Sequence, residues 1–362
     1  MKKHSQKKVL AIITGIGYGH SIRQIPILEK LKSKGYDIIV AGYANSHEYF
    51  QHKFETLEIY GPKFPERKFN FSPFQVFLKN LTLPIKQLIN MFKLKKVVRI
   101  FQPDIILTDF EPIAFSIAKD KPHFLIFNFD PELYKEYLKD RKKPFKLQYQ
   151  YIKSIYKKAS KLNSQIIVPS ISNRKSTEKI HYVNPIIREI PKKATVLDKY
   201  KDPILVSLGG SYFGSEILDR LLHILPKFEN DFIISSYKTI GKQQKNLHFI
   251  PFKENFLDYI KSSKGVICFG GHNTISEAAV LKKPVLVFPV PNYIEQTLNA
   301  YEAEKNDFGI SKILKHPLDD KEIFSVVNEF LSSLSSIEKN LQKSNVEDNG
   351  ADQAVQIIIN NS

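Results

Sequence analysis

The 362-residue sequence has one cysteine, no tryptophan and no long apolar run. The single cysteine, Cys268, permits neither an intrachain disulfide nor a thiolate metal cluster, so a reducing cytoplasm is the expected compartment. No apolar segment reaches the ~18–20 residues that a membrane-spanning helix needs. The apolar stretch near the start is short, breaks at Gly15 and Gly17, and lacks a small-residue cleavage site, which favours a first β-strand over a signal peptide.

Acidic residues are scarce in the first half of the chain. Residues 1–185 contain 33 Lys and Arg against 15 Asp and Glu, whereas residues 186–362 contain 21 against 22. The net charge of +17 therefore resides in the N-terminal half. An anionic partner is expected to meet that half.

Two segments concentrate this positive charge. Residues 63–101 contain nine Lys and Arg against Glu66 alone, and residues 139–161 contain nine against Asp140 alone. In the first segment, residues 77, 81, 85, 88 and 92 form an apolar stripe at helical spacing. We expect this half to dock on an anionic membrane surface, in preference to the alternative that the stripe packs on a sheet and the lysines are merely solvated. Nucleic acid ranks below lipid as a partner, because no known recognition module is present.

Short Val-, Ile- and Leu-rich runs alternate with longer helical stretches, which is typical of a parallel sheet with crossover helices. The pattern predicts an α/β protein of two doubly wound, Rossmann-like domains facing a cleft. The expected domains are residues 1–185 and 186–345, joined by a proline-bearing linker at 182–203, with a closing helix in 346–362 that packs back on the first domain. The predicted strands are residues 9–14, 36–42, 104–108, 123–127, 165–168, 204–208, 231–235, 265–269 and 285–288.

The first predicted strand leads into a glycine-bearing turn, Thr14-Gly-Ile-Gly-Tyr-Gly-His20. Such a turn lets backbone N–H groups and a helix N-terminus approach an anion or an oxygen-rich substrate. It lacks the spacing and the acidic residue of the dinucleotide fingerprint, so nicotinamide binding is disfavoured. Gly17 and Gly19 are assigned to the acceptor side. His20 is a candidate general base, because imidazole ordinarily titrates near pH ~6.5; the alternative is a histidine that caps the helix or is satisfied in the interdomain wall.

Two further glycine turns lie in the second half. Gly209-Gly210-Ser211 follows a strand and resembles either a phosphate-binding turn or a plain tight turn. The stronger signal is the segment from Cys268 to Ala279, in which a buried strand enters two glycines and then a helix whose first turn offers Asn273, Thr274 and free N–H groups. This arrangement predicts an anion cradle. Glu277, one turn further, can accept two ribose hydroxyls, whereas Cys268 is expected to be inert core.

Two carboxylates follow the predicted strand at 104–108. Asp109 and Glu111 lie where the carboxyl end of that strand meets the cleft, because ligands of open α/β sheets bind beyond these ends. Each is a further candidate for the general base. Either one could instead position His20 or cap a helix.

The segment 270–299 resembles the donor-binding region of GT-B nucleotide-sugar glycosyltransferases. It is most similar to family 28, which includes the lipid II N-acetylglucosaminyltransferase, the galactolipid synthases and archaeal relatives. The loop ending at His20 resembles that family's N-terminal glycine-rich motif, and residues 183–188 resemble its lead into the donor domain. Tyr18 replaces a glycine of the family pattern, which leaves the identity of the acceptor open.

The resemblance implies a role for each matching residue. Glu277 would bind ribose, the backbone of Phe252 would contact a uracil-like base, and His20 would be the acceptor-side base. Glu295 and Gln296 would read the sugar hydroxyls, with a contribution from Asn299. The diphosphate cradle would comprise Gly209, Gly210, Ser211, Gly271, His272, Asn273 and Thr274.

The function that the resemblance implies is an inverting transfer of a sugar from a UDP-sugar such as UDP-N-acetylglucosamine to a lipid-linked or cell-envelope glycan hydroxyl. The nucleotide-sugar is then a substrate, and no cofactor is expected. The sequence has no Asp-x-Asp triplet to anchor a metal-dependent architecture, so no metal is expected either. The enzyme would sit peripherally on the inner face of the cell membrane.

Two alternatives remain. The loop from Gly17 to Arg23 also resembles the Gly-x-Gly-His-x-x-Arg loop of a nucleotide-sugar hydrolase on the same fold. A non-enzymatic scaffold or nucleic-acid-binding protein that kept the fold is the alternative from another class.

Overall fold

A computed structural model describes residues 6–63, 78–141, 145–192, 196–208, 215–236, 245–251 and 256–362. Within these residues the chain forms two parallel β-sheets. The first contains seven strands in the order β3-β2-β1-β4-β5-β6-β7, and the second contains six in the order β10-β9-β8-β11-β12-β13. The prediction of two doubly wound α/β domains is confirmed.

The strands of the first sheet are β1 (Lys8–Ile13), β2 (Asp37–Gly42), β3 (Glu55–Glu58), β4 (Ile105–Asp109), β5 (His123–Ile126), β6 (Gln165–Pro169) and β7 (Ile180–Val183). Those of the second are β8 (Ile204–Ser207), β9 (Phe232–Ser236), β10 (Leu247–Pro251), β11 (Gly265–Cys268), β12 (Val285–Val287) and β13 (Gly309–Ser311). The central strands are buried along their length, because helices cover both faces of each sheet.

The helices alternate with these strands. Those described in the first half are α1 (Gly19–Ser33), α2 (Ala44–Phe50), α3 (Leu83–Phe101), α4 (Pro131–Arg141) and α5 (Lys146–Lys161), with a 3₁₀ turn at Pro112–Ser116. Those in the second are α6 (Ser215–Ile224), α7 (Phe256–Ser262), α8 (His272–Val280), α9 (Ile294–Lys305), α10 (Asp320–Lys343) and α11 (Gly350–Asn360), with a 3₁₀ turn at Leu225–Lys227.

Four strands are missing from the sequence prediction: β3, β7, β10 and β13. They lie at the edges of the sheets, are three to five residues long and are only partly buried. A continuous apolar run is therefore missing from each, and β3 reads Glu-Thr-Leu-Glu. Because β7 extends to Val183, the interdomain linker begins after that residue rather than at Tyr182.

Two elements hold the domains together. The C-terminal helix α11 packs on α1 and β7 of the first domain, where its residues Ala351, Ala354, Val355 and Ile358 join the apolar core. Helix α9, which belongs to the second domain, inserts apolar residues into an aromatic cluster of α4 and α5; its Tyr301 meets Tyr137 edge-to-face with ring centroids 5.4 Å apart. These contacts fix the relative orientation of the two carboxyl-end faces.

Helix α3 and the turn before it, which contains Leu81, present the predicted apolar stripe to solvent. Leu81, Ile85, Leu88 and Phe92 are between 54% and 69% exposed. Phe77, the first member of the predicted stripe, lies outside the described residues. Along α3 the exposed residues Lys95, Lys96 and Arg99 accompany the stripe, and the helix carries no acidic residue. None of the helices in the described part of the chain has the length and hydropathy that crossing a bilayer requires.

Candidate active site

The turn between β1 and α1 brings His20 to the carboxyl edge of the first sheet. Gly17 adopts φ +70°, a backbone region that favours glycine. Gly15 packs directly on the backbone that follows β2, since a Cβ on Gly15 would be 1.7 Å from the carbonyl oxygen of Tyr43. Helix α1 begins at Gly19, so His20 lies in its first turn with a side chain 15% exposed.

Asp109 ends β4, the strand beside β1, and lies next to this turn. Its carboxylate is fully buried. Oδ1 accepts from His20 Nδ1 at 2.8 Å and from Arg23 Nη2 at 2.5 Å. Oδ2 accepts from Arg23 Nε at 3.0 Å and from Gln24 Nε2 at 2.8 Å. Burial alone opposes ionisation, but Arg23 and His20 outweigh it and hold the pKa of Asp109 below its ordinary value.

This arrangement selects one tautomer of His20. Asp109 is an ionised acceptor, so the proton of the short contact belongs to Nδ1 of His20. Arg23 Nη2 lies 3.1 Å from the same Nδ1. Because two donors cannot form a hydrogen bond with each other, this is a van der Waals contact. Nε2 remains as the unprotonated nitrogen of the neutral ring. The side chain of His20 is thus oriented by a carboxylate, with Nε2 as its acceptor nitrogen, and its role as the general base stays a prediction.

Phe110 and Glu111 extend the site beyond Asp109. Phe110 adopts φ +51°, a strained backbone for a bulky residue, and its ring stacks 6.0 Å from that of His20. The ring of Phe110 also meets Tyr151 edge-on at 6.3 Å. Glu111 is buried beside Tyr43 and Tyr151, and burial raises the pKa of its carboxyl to about 7. Glu111 is therefore a carboxyl that gains or loses a proton near neutral pH.

The predicted anion cradle lies at the start of α8. A Cβ on Gly270 would be 2.4 Å from the carbonyl oxygen of Gln296, so that glycine is required for packing on α9. A Cβ on Gly271 would meet nothing within 4 Å, so this second glycine faces open space. Gly271 is the N-cap and provides no side-chain cap. The first N–H groups of α8 therefore remain available to an anion.

His272 and Asn273 bring the cradle against the first domain. The amide Nδ2 of Asn273 donates to the carbonyl oxygen of Gly19 at 2.7 Å. His272 is buried and close to Ser276, with Oγ 3.3 Å from its Nε2. Burial and the nearby Arg23 lower the pKa of His272 to about 3, so its ring is neutral. The N-termini of helices α1 and α8 thus lie next to each other. Thr274, which follows Asn273, is partly buried in the first turn of α8.

Glu277 forms a bidentate ion pair with Arg188. Arg188 Nε donates to Oε1 at 3.0 Å and Nη2 donates to Oε2 at 3.1 Å. Only 2% of Glu277 is exposed, and burial raises the pKa of the carboxyl against the opposing effect of Arg188. The carboxylate is engaged by Arg188 through both oxygens, and ribose binding by Glu277 stays a prediction.

The three residues assigned to the sugar lie on α9. Glu295 Oε1 accepts from Asn128 Nδ2 of the first domain at 2.9 Å, and Gln296 Oε1 accepts from the backbone N–H of Val290 at 2.9 Å. Asn299 is buried, and its Nδ2 donates to the carbonyl oxygen of Gly270 at 2.9 Å. Asn299 thus supports the cradle loop from behind.

Some predicted site residues lie outside the described residues: Gly209, Gly210, Ser211 and Phe252. Conversely, the sequence reasoning assigned no role to Arg23, Gln24, Arg188 or Tyr43. The spacing of Arg23, three residues after His20 on one helix, was a usable signal that the two side chains share a face. The partners of Gln24 and Arg188 had no such signal, because they lie 85 and 89 residues away in the sequence.

Cys268 is buried in β11, and burial raises the pKa of its thiol to about 12, as expected of an unreactive core cysteine. Within the described ranges, no group of three or more His, Cys, Asp or Glu side chains is arranged to hold a metal ion.

Comparisons with known proteins identify the family of the chain. A family model described as glycosyl transferase family 1 matches residues 7–334. An uncharacterized glycosyltransferase of Methanosarcina acetivorans is 27% identical over 349 residues, covering 90% of each chain. The UDP-N-acetylglucosamine--N-acetylmuramyl-(pentapeptide) pyrophosphoryl-undecaprenol N-acetylglucosamine transferase of Clostridium botulinum strain Langeland is 26% identical over 370 residues, covering 96% of this chain and 98% of its own.

A solved structure shows the same fold. MurG of Acinetobacter baumannii superposes with a TM-score of 0.67 at 14% identity, covering 98% of this chain and 99% of its own. The resemblance to lipid II N-acetylglucosaminyltransferases and archaeal relatives is thereby confirmed, as is the GT-B architecture. The chain belongs to glycosyl transferase family 1, and it is a glycosyltransferase.

Proposed function

We propose that this enzyme transfers a sugar with inversion from a UDP-sugar, such as UDP-N-acetylglucosamine, to a hydroxyl of a lipid-linked or cell-envelope glycan acceptor. The observation that carries the proposal is the His20–Asp109 pair, 2.8 Å apart, next to the uncapped N-terminus of α8. A base and an anion cradle are the two parts that such a transfer requires.

The chemistry assigns a distinct task to each part. Nε2 of His20 accepts the proton of the acceptor hydroxyl as that oxygen bonds to the anomeric carbon. The bond between the anomeric carbon and the diphosphate oxygen breaks, and its electron pair leaves with the nucleoside diphosphate. Asp109 stabilises the resulting imidazolium and is itself enclosed by Arg23 and Gln24, so it is a positioning residue. The N–H groups of α8 stabilise the charge on the leaving diphosphate.

The donor site is assigned to the second domain. We assign the backbone N–H groups of Gly271 to Thr274 to the diphosphate and Glu277 to the ribose hydroxyls. Glu295 and Gln296 are assigned to the sugar. UDP is favoured as the nucleotide part of the donor, because relatives that match along nearly the whole chain are named as UDP-N-acetylglucosamine transferases.

The acceptor is assigned to the first domain, together with a membrane-docking surface. We define this surface as Leu81, Ile85, Leu88 and Phe92 with Lys95, Lys96 and Arg99. Large exposed apolar patches on soluble domains mark interaction sites, and each Lys or Arg near an anionic bilayer contributes roughly 1 kcal/mol. A lipid-linked acceptor delivered at this surface would enter on the side of the site that contains His20.

Calorimetric titration with UDP, GDP, CMP and a short single-stranded DNA tests the proposal. We expect selective UDP binding, followed by turnover of a UDP-sugar that depends on a lipid acceptor and is increased by anionic vesicles. UDP-sugar breakdown without an acceptor would support the hydrolase. Salt-sensitive DNA binding with no nucleotide binding would support the non-enzymatic alternative.

A further inference from the structure

The side chain of Asn273 crosses from one domain to the other at the centre of the site. Asn273 is the second residue of α8, and its Nδ2 donates to the carbonyl oxygen of Gly19 at 2.7 Å. Gly19 is the first residue of α1 and immediately precedes His20. The hydrogen bond joins residues 254 positions apart in the sequence.

Two further contacts of the cradle loop come from its own domain. Asn299 donates to the carbonyl oxygen of Gly270, and Gly270 packs directly on the backbone of Gln296. These contacts fix the loop relative to the second sheet. Asn273 instead fixes it relative to the residue beside the base.

We propose that Asn273 is a positioning residue that sets the distance between His20 and the anomeric carbon of the donor held at α8. The inference rests on the proposed function. In this role the side-chain amide of Asn273 aligns His20 with the donor held at α8. Only the backbone N–H of Asn273 is then left to bind the diphosphate.

The overall docking of the domains does not depend on this hydrogen bond. The α9 aromatic cluster and the α11 contacts hold the domains through many buried side chains. Loss of one partly exposed amide should therefore change local alignment without separating the domains. Transfer is sensitive to such a change, since a misplacement of about 1 Å in reacting groups can cost on the order of 10²-fold in rate.

The test compares Asn273→Ala and Asn273→Asp with the matched control Asn328→Ala, an exposed asparagine of α10. The assays are UDP calorimetry, UDP-N-acetylglucosamine turnover, melting temperature and hydrogen exchange. We expect kcat to fall about tenfold or more in both Asn273 variants. In Asn273→Ala the UDP affinity, donor KM and melting temperature should be nearly unchanged, whereas the negative charge of Asn273→Asp beside the diphosphate should weaken UDP binding. Asn273→Asp should be no better than Asn273→Ala, because a carboxylate of the same shape cannot donate to Gly19.

Hydrogen exchange tests the same inference without turnover. Exchange over residues 15–23 should be faster in both variants, because the start of α1 loses its tie to α8. Weakened UDP binding in Asn273→Ala would mean that the side chain binds the donor, and unchanged kcat and exchange would mean that it aligns nothing; either result overturns the proposal. A wild-type protein that binds no nucleotide would instead reject the proposed function, and the alignment role with it.

Discussion

The imidazole of His20 donates from Nδ1 to Asp109 Oδ1 at 2.8 Å, and the acceptor carboxylate is completely buried. A buried, ionised aspartate that also holds a guanidinium cannot reach an acceptor hydroxyl. It can only hold His20 in the tautomer whose Nε2 accepts a proton. The relationship divides the three candidate bases by position: His20 is partly exposed, Asp109 is enclosed, and Glu111 is buried but ionisable.

The His20→Ala variant should lose most of its turnover. General-base catalysis contributes about 10²–10⁴-fold, so kcat should fall by that factor. UDP affinity should be nearly unaltered, because no donor contact is assigned to this side chain. Steady-state kinetics beside UDP calorimetry measure both quantities, with the exposed His52→Ala as the control. Unchanged turnover would transfer the role of base to Glu111.

The Glu111→Gln variant should gain stability relative to the wild type as the pH rises. Burial raises the pKa of Glu111 to about 7 from an ordinary value of 4.5, so between these values the folded state binds a proton that the unfolded state has released. The contribution of this group to the free energy of unfolding therefore falls as the pH increases through this window. The total decrease, from below the unfolded pKa to above the folded pKa, is about 3 kcal/mol. Gln cannot ionise and avoids the loss.

Melting temperatures measured from pH 5 to pH 8 test this expectation. The difference between Glu111→Gln and the wild type should be smallest at the acid end and grow by several degrees toward the alkaline end. The exposed Glu329→Gln should follow the wild type throughout. Parallel curves for Glu111→Gln and wild type would show that the carboxyl ionises normally.

The Glu277→Ala variant should weaken UDP binding. Hydrogen bonds to a charged group contribute about 1.5–3 kcal/mol, which corresponds to roughly 10–100-fold in the Kd for UDP. Glu277→Gln separates this role from the ion pair with Arg188, because Gln retains the shape without the charge. Calorimetry gives the Kd and a melting curve reports the loss of the pair. If both variants have a lower melting temperature but bind UDP normally, the role of Glu277 is only to pair with Arg188.

The double variant Ile85→Ser/Phe92→Ser should bind membranes poorly and remain folded, because both side chains are exposed on α3. Cosedimentation of this variant with phosphatidylglycerol vesicles should fall strongly. A second variant, Lys95→Ser/Lys96→Ser, should lose about 2 kcal/mol of membrane-binding free energy, and high salt should weaken wild-type binding in the same way. Val196→Ser, an exposed apolar position in the linker before β8, is the control. Equal binding of the wild type to phosphatidylglycerol and phosphatidylcholine would contradict the electrostatic part, and wild-type binding by the double variant would contradict the apolar part.

Local features of the sequence predicted much of this fold. Continuous Val-, Ile- and Leu-rich runs identified the central strands, because strands covered on both faces have no polar alternation. The four edge strands β3, β7, β10 and β13 were missed for the complementary reason: half-exposed edges need no apolar run. The stripe on α3 was visible as a helical period, but the period alone could not say whether it faced a sheet or solvent.

The sequence by itself determined the two doubly wound domains, the glycine turns after β1 and β11, and the concentration of positive charge in the first half. Each of these follows from residues that are near one another in the chain. Only the tertiary structure decided that Arg23 and Gln24 hold Asp109, that Arg188 holds Glu277, and that Asn273 reaches Gly19. These pairs depend on strand order and on how the domains dock, and local conformational preference contains no information about either.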